Sequence, residues 1–267
     1  MSIYLDFNGM LAIASLVAGV ILLLERYVLR PQRISQGIPA DYESKLIEYV
    51  RAFFPVFLLV LGLRVIIAEP FRIPSGSMKP TLLEGEFIIA NKFLYGIRLP
   101  VTGTKIIKIS EPKRGDIVVF RSPQNPQEMN LIKRIVAVAG DIVSYKDKVL
   151  YVNGQAQEQV VLNKDFDVEP NGYVWKVSKI DETLDGLHHE IFLRPGMGFD
   201  MQEMTIPDGH YFAMGDNRDN SEDSRSWGVL SDEYLIGKAT YIWMSWDGPN
   251  HSIRWDRLGK RISLSKG

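Results

Sequence analysis

The stretch RIPSGSMKPTL, from Arg72 to Leu82, sets Ser75 and Ser77 around Gly76 and between Pro74 and Pro80. A serine hydroxyl becomes a nucleophile when a neighbouring base takes its proton. The G-x-S-x-G elbow is absent, and so is the strand–helix alternation that goes with it, so no local motif points to a Ser-His-Asp triad. The four histidines are His188, His189, His210 and His251. HHE at 188–190 lacks H-E-x-x-H spacing, which counts against a zinc protease. His210 precedes a strand and reads as structural. A neutral lysine is the other base chemistry offers, provided that burial depresses its pKa by several units from about 10.4.

NLIKRIVAVAG holds such a lysine. Alternation places Lys133 with Leu131 and Ile135 on one face of a strand, and Ile132 with Arg134 on the other. A lysine on an apolar face is costly unless it is neutral or paired. Pattern alone favours a strand-edge lysine that snorkels to solvent. Lys79, Lys92, Lys105 and Lys113 are flanked by turns or polar residues and are expected to be exposed. A third motif, MGDNRDNSEDSRSWG, gathers Asp216, Arg218, Asp219, Asp223 and Arg225 around Ser221 and Ser224. The ligand order of an EF-hand does not fit. Alternating acids and arginines directly after a strand read as a salt-bridged loop that holds a hydroxyl in place.

These residues sit in a chain of 267, with Lys+Arg 31 against Asp+Glu 32 and no cysteine. Near-zero net charge gives no polyanion-binding signal, so nucleic acid is not an expected partner. Disulfides and thiolate metal sites are excluded. Two apolar runs stand out: FNGMLAIASLVAGVILLL, Phe7 to Leu24, and AFFPVFLLVLGLRVIIA, Ala52 to Ala68, which contains Pro55 and Arg64. Each approaches the roughly 20 residues that cross a bilayer as a helix. A cleavable leader is disfavoured for the first, because MSIYLD carries an acid and no base. Arg64 lies near the outer end of the second, where it can snorkel. Arg26, Arg30, Arg33, Lys45 and Arg51 lie between the runs, so the positive-inside rule puts that segment in the cytoplasm and residues from about Glu69 onward outside.

The expected organisation is a tail and first transmembrane helix over 1–24, a cytoplasmic loop over 25–51 and a second transmembrane helix over 52–68. Beyond residue 84, EFIIANKF, GDIVVFRS, LIKRIVAVAGD, KVLYVNG, HYFAMGD and KATYIWMSW read as strands, and VNGQ as a hairpin turn. The outer part is therefore a mostly antiparallel β domain, 69–141 and 207–267, folded over or partly closed. Residues 142–206 are less apolar and more irregular, and read as an inserted smaller subdomain.

PSGSMKPTL, GDIVVFRSP, IKRIVAVAGD and GDNRDNSEDSR, in that order after two apolar spans, closely resemble bacterial type I signal peptidase (leader peptidase). The resemblance covers nearly the whole chain and is weakest in the cytoplasmic loop and over 142–206. It implies a membrane-bound serine endopeptidase of the Ser-Lys dyad kind, with Ser77 as nucleophile and Lys133 as general base. Ser75 would join the backbone N–H of Ser77 in the oxyanion hole, and Ser221 would orient the lysine. Asp223 with Arg225, and Asp216 with Arg218, would be structural groups beside the site. The substrate pockets would be lined by Phe71, Ile73, Pro74, Met78, Leu82, Ile88, Val119 and Ile132. Lys79, where many members carry an apolar residue, is a departure expected to be exposed and harmless.

The resemblance further implies cleavage of exported preproteins after an Ala-X-Ala-like motif, with no metal or other cofactor. Implied partners are signal peptides, the lipid bilayer and the protein-export machinery. The implied location is the bacterial inner membrane, multi-pass, with the catalytic domain on the periplasmic side. Nine residues from Ala68 to Ser77 reach at most about 30 Å, which keeps the serine near the bilayer. Trp243, Trp246 and Trp255 suit either the interfacial layer or the β core. The alternative function is a non-catalytic, membrane-anchored β domain that binds exported chains. Loss of Ser77 or Lys133 would favour it, and both are present.

Overall fold

The structure is a computed structural model that describes residues 7–39, 42–66, 69–98, 104–126, 129–169, 171–196, 198–262 and 265–266. The N-terminal tail, the side chain of Arg64 and the end of the second apolar run at 67 and 68 lie outside them. The chain divides into a helical unit, Met1–Ile67 with Ile97–Ile107, and an outer unit, Ala68–Gly96 with Lys108–Gly267.

In the helical unit, α1 (Phe7–Leu24) does not stop where the apolar run stops. It passes through a wide π-type turn, Glu25–Leu29, into α2 (Arg30–Ser35). The sequence reading of a linker from residue 25 is corrected here. Pro31 has no N–H to donate one turn back, and the widened turn just before it absorbs that loss without ending the helix. The carboxylate of Glu25 is buried and paired with Arg33 two turns on, which is what lets an acid sit on this helix. Helix α3 (Lys45–Ile66) likewise starts before its apolar run. The Ser44 hydroxyl accepts the Ile47 N–H at 3.4 Å, as an N-cap does. A Cβ on Gly19 of α1 would touch the Phe54 ring of α3 at 3.4 Å, so the missing side chain lets the two helices close up. Among the described residues one helix, Gly9–Ser35, is long and apolar enough to cross a membrane.

The outer unit is built of antiparallel strands. In chain order the strands are β1 (Glu69–Arg72), β2 (Glu86–Asn91), β3 (Gly96–Arg98), β4 (Lys105–Lys108), β5 (Ile117–Arg121) and β6 (Asn130–Ala137), of which β3 and β4 fall mostly in the Ile97–Ile107 segment of the helical unit. Then come β7 (Ile142–Lys146), β8 (Val149–Val152), β9 (Gln155–Ala156), β10 (Gln159–Val168), β11 (Val174–Leu184) and β12 (Leu187–Leu193). The last are β13 (Met201–Thr205), β14 (His210–Met214), β15 (Leu230–Ser231), β16 (Leu235–Asp247), β17 (Ser252–Ile253) and β18 (Ser265–Lys266). The large sheet runs β1-β2-β16-β5-β6-β14-β15, with β17 added on β16. All the strands read from sequence lie where expected, and Asn153 and Gly154 both take positive φ in the β8–β9 turn, as a tight hairpin requires.

The stretch 142–206 is more regular than its composition indicated. It holds the sheet β13-β7-β8-β9 and the strands β10-β11-β12, to which β18 adds from the C-terminal end, including a hairpin whose edge strand β10 exposes Val160, Val161 and Leu162. Exposed apolar residues on a strand edge break the alternation on which strand reading rests. This stretch also shares a core with the large sheet: Val143, Tyr145, Leu150, Leu184 and Ile206 pack with Val136, Ala137, Phe212 and Met214. The tryptophans are not core residues, since Trp243 is 46%, Trp246 37% and Trp255 73% exposed.

One turn fixes the segment between the two serines and β2. The Gly85 N–H donates to Ile73 O and its carbonyl accepts from Trp246 N, both at 3.0 Å, with φ at +82°. A Cβ there would lie 2.2 Å from Trp246 O. We expect Gly85→Ala to cost on the order of 3 kcal/mol or more. A thermal melt of the purified variant within a degree of the parent would contradict this close approach.

Candidate active site

Ser77 sits in a single 3-10 turn, Gly76–Met78, that follows an extended Ser75 with φ −134° and ψ 158°. The turn is pinned on both sides. The Lys79 N–H donates to Gly76 O at 3.1 Å, and the Leu82 N–H to Met78 O at 2.9 Å. From the far loop, Asn217 donates its backbone N–H to Ser77 O at 3.0 Å and its Nδ2 to Gly76 O at 3.1 Å. A Cβ on Gly76 would lie 2.7 Å from Glu84 Oε1 and 3.1 Å from Lys79 Cε, so both side-chain ends would have to shift to admit one. The Lys79–Pro80 peptide is cis.

Lys133 is 3% exposed on β6, opposite Val118 of β5 and one residue before Arg134, which pairs with Met214 of β14. Its Nζ lies 2.8 Å from Ser77 Oγ and donates to Ile132 O at 3.1 Å. Burial pulls the amine down from 10.5 to about 8 against the nearby carboxylates of Asp223 and Asp216, with the Arg225 charge adding to the depression. The 2.8 Å separation serves the reverse hydrogen bond equally, in which the neutral amine accepts the serine proton. Ser75 Oγ lies 3.4 Å from Ser77 Oγ.

The Met214–Gly228 stretch does not form the self-contained set of ion pairs read from sequence. Only Asp223 and Arg225 pair within it, at 2.8 Å, and Asp223 also accepts the Gly215 N–H at 3.0 Å. Burial pushes the Asp223 carboxyl up, but the Arg225 hydrogen bonds and charge outweigh it and hold it below the usual carboxylate range. Asp216 turns instead to Arg134, which donates Nε at 2.8 Å and Nη2 at 2.6 Å, and to the Thr81 hydroxyl. Arg218 pairs with Glu182 of β11. These are long-range partners, so spacing within the motif could not reveal them. The loop also docks on β12: the Phe192 N–H donates to Asp216 O and the Arg218 N–H to Phe192 O.

Three further expectations are corrected. Lys79 is buried, because Asp167 of β10 meets its Nζ at 3.1 Å and Val168 O accepts from it at 2.8 Å. The expected hydrogen bond from Ser221 to the amine is not made. Ser221 Oγ is buried without a partner against Gly215, whose added Cβ would lie 2.2 Å from it. Of the expected pocket residues, Ile73, Met78, Leu82, Ile88, Val119 and Ile132 form one packed cluster, with Phe71 against it. Pro74 is outside that cluster and lines a cavity of 610 Å³ together with Arg72 and Ile73. Asn217, Thr81 and Asp167 were missed. Asn217 lay inside a motif already singled out, whereas nothing local marks Asp167.

The depressed amine makes a stability claim as well. Below about pH 8 the cost of burying this group is fully present, and it fades as the pH rises toward 10.5, where the unfolded lysine also loses its proton. Lys133→Met should therefore stabilise the fold at pH 7 by up to about 3 kcal/mol, and the gain should shrink above pH 10. Denaturant unfolding at the two pH values checks both the sign and the trend.

Residues 46–246 match the family model described as signal peptidase, peptidase S26. A signal peptidase I of Pseudomonas fluorescens is 42% identical, over 96% of this chain and 98% of its own. One from Pseudomonas aeruginosa is 44% identical, over 93% and 95%. A crystal structure of a signal peptidase I from Enterococcus faecalis V583 is 29% identical over 48% of this chain and 97% of its own, with a TM-score of 0.29, too low to bear on the fold. Matched by the family model over most of its length and by full-length relatives, this chain belongs to the signal peptidase family, peptidase S26.

Proposed function

We propose that the chain is a membrane-bound serine endopeptidase that removes signal peptides from exported preproteins, with Ser77 as nucleophile and Lys133 as general base. The observation that carries this reading is a dry amine 2.8 Å from a serine hydroxyl in a loop fixed by backbone hydrogen bonds. Neutral Lys133 takes the proton as Ser77 Oγ attacks the scissile carbonyl. The carbonyl electrons move to oxygen, where the Ser77 N–H and the Ser75 hydroxyl stabilise them. Collapse of that intermediate expels the mature chain's amine, which receives the proton from Lys133. Water, deprotonated by Lys133, then attacks the acyl carbonyl, and the proton passes from Lys133 to Ser77 Oγ as the ester bond breaks. The preferred cleavage follows an Ala-X-Ala-like motif, as the family resemblance implies.

The same reading extends to topology. Both α1 and α3 cross the bilayer, Arg26, Arg30, Arg33, Lys45 and Arg51 stay on the cytoplasmic side, and the outer unit faces the periplasm. The segment joining the helices is then the cytoplasmic connection, and the export machinery delivers substrate from the opposite face.

Ser77→Ala and Lys133→Ala should each abolish cleavage of a preprotein in detergent while the fold survives, and normal cleavage by either would refute the assignment. Ser75→Ala should lower kcat on the order of 100-fold, the usual cost of one oxyanion donor. The acid limb of the kcat/KM profile should fall near pH 8, where burial places the amine, so that activity rises as pH climbs through it. A limb near 10 would mean a solvated lysine. For topology, the chain's lack of cysteine makes single substitutions clean reporters. An impermeant maleimide should label Lys164→Cys in spheroplasts and Gln36→Cys only after permeabilisation, and the opposite pattern would invert the orientation.

A further inference from the structure

We propose that Asp167 is a positioning residue for the nucleophile, gripping both ends of the Ser77 turn from the edge strand of a different sheet. This rests on the reading of Ser77 as nucleophile given above. Asp167 lies near the end of β10, 1% exposed, opposite Trp175 of β11. Its carboxylate accepts from three donors. Asn217 Nδ2 reaches Oδ2 at 2.9 Å, Arg194 Nη2 reaches the same oxygen at 2.9 Å, and Lys79 Nζ reaches Oδ1 at 3.1 Å.

Two of these donors belong to the machinery of the turn. Asn217 Nδ2 is shared with Gly76 O, and the Asn217 backbone N–H holds Ser77 O. Because both contacts of Nδ2 are to oxygen acceptors, the amide orientation is fixed by its partners. Lys79 follows Ser77 by two residues, and its side-chain end lies against Gly76, 3.1 Å from where a Cβ there would stand, with Glu84 as its other carboxylate at 3.4 Å. One carboxylate thus sets the amide that holds the turn from one side and the ammonium that wedges it from the other.

The third donor is the anchor. Arg194, just past β12, is 4% exposed, stacks its guanidinium 4.4 Å from the centre of the Trp175 ring, and also reaches Glu169 at 3.2 Å. Trp175 Nε1 donates to the same Glu169 oxygen at 2.8 Å. Asp167 is therefore held still by groups that do not touch the turn, which is what a positioning residue needs: a misplacement of about 1 Å from outside the reacting groups can cost on the order of 100-fold in rate.

The test is cleavage of a preprotein by the full chain in detergent, with kcat and KM read separately and the folded fraction set by near-ultraviolet circular dichroism. Asp167→Ala should lower kcat on the order of 100-fold with KM within about twofold. Asp167→Asn keeps an acceptor for Asn217 and should recover roughly tenfold of that loss. The acid limb should stay at its wild-type pH, because Lys133 is untouched. Wild-type kcat per folded Asp167→Ala molecule overturns the proposal, as does a loss confined to KM or a shifted acid limb. If Asp167→Ala does not fold, Lys79→Met decides. A several-fold fall in kcat at constant KM supports the grip, and unchanged kcat removes it. Residual cleavage by Ser77→Ala, run alongside, would be a different failure, that of the nucleophile assignment itself.

Discussion

A lysine amine kept out of water within 2.8 Å of a serine hydroxyl is the constraint to which the outer unit answers. Desolvation must win over every carboxylate nearby, or the amine stays charged and cannot accept a proton. Asp216 and Asp223 both push its pKa back up. Each is tied to its own arginine, Arg134 and Arg225, so neither stands as a bare charge beside the amine. Arg225 in addition lies over the Tyr145 ring, 5.0 Å from its centre, which holds the guanidinium where it opposes protonation of the lysine.

The buried ion pairs are better understood as geometry than as stability. A charge pair in a dry interior recovers in attraction little more than it loses in desolvation, but removing one partner leaves an uncompensated charge. Arg134 with Asp216, Arg218 with Glu182 and Arg194 with Asp167 each join residues far apart in sequence. They restrict which loops can meet which strands, and the 216–218 loop so restricted holds the Ser77 turn through Asn217. The fully buried Met78 and Leu82 complete the grip from the core side, so the nucleophile turn is fixed by apolar packing beneath and by directional bonds above.

What could be read from the chain alone follows from range. Ser77, Lys133 and the 214–228 stretch were legible because hydroxyl, amine and turn chemistry are written in consecutive residues, and the strands because their runs are apolar and bounded by turns. VNGQ announced its own dihedrals. Pairings between residues far apart in the chain were not legible: nothing near Asp216 names Arg134, and nothing near Lys79 names Asp167. Lys79 was read as exposed because its sequence neighbours are polar, whereas its burial is decided by a strand 88 residues away. The helix continuing through Pro31 was hidden for a related reason, since a proline and a charge look like a stop until the widened turn and the Glu25–Arg33 pair are seen.

The docking of the 216–218 loop on β12, through hydrogen bonds to both the N–H and the carbonyl of Phe192, bears on when the chain becomes dangerous. A peptidase that emerges into a crowded compartment beside other unfolded polypeptides could damage them, and itself, if it were active early. Here the residue that clasps the reactive turn, Asn217, lies in the very loop that β12 holds. The reactive geometry is thus a property of the whole outer fold, because the clasp on the Ser77 turn is itself held by β12.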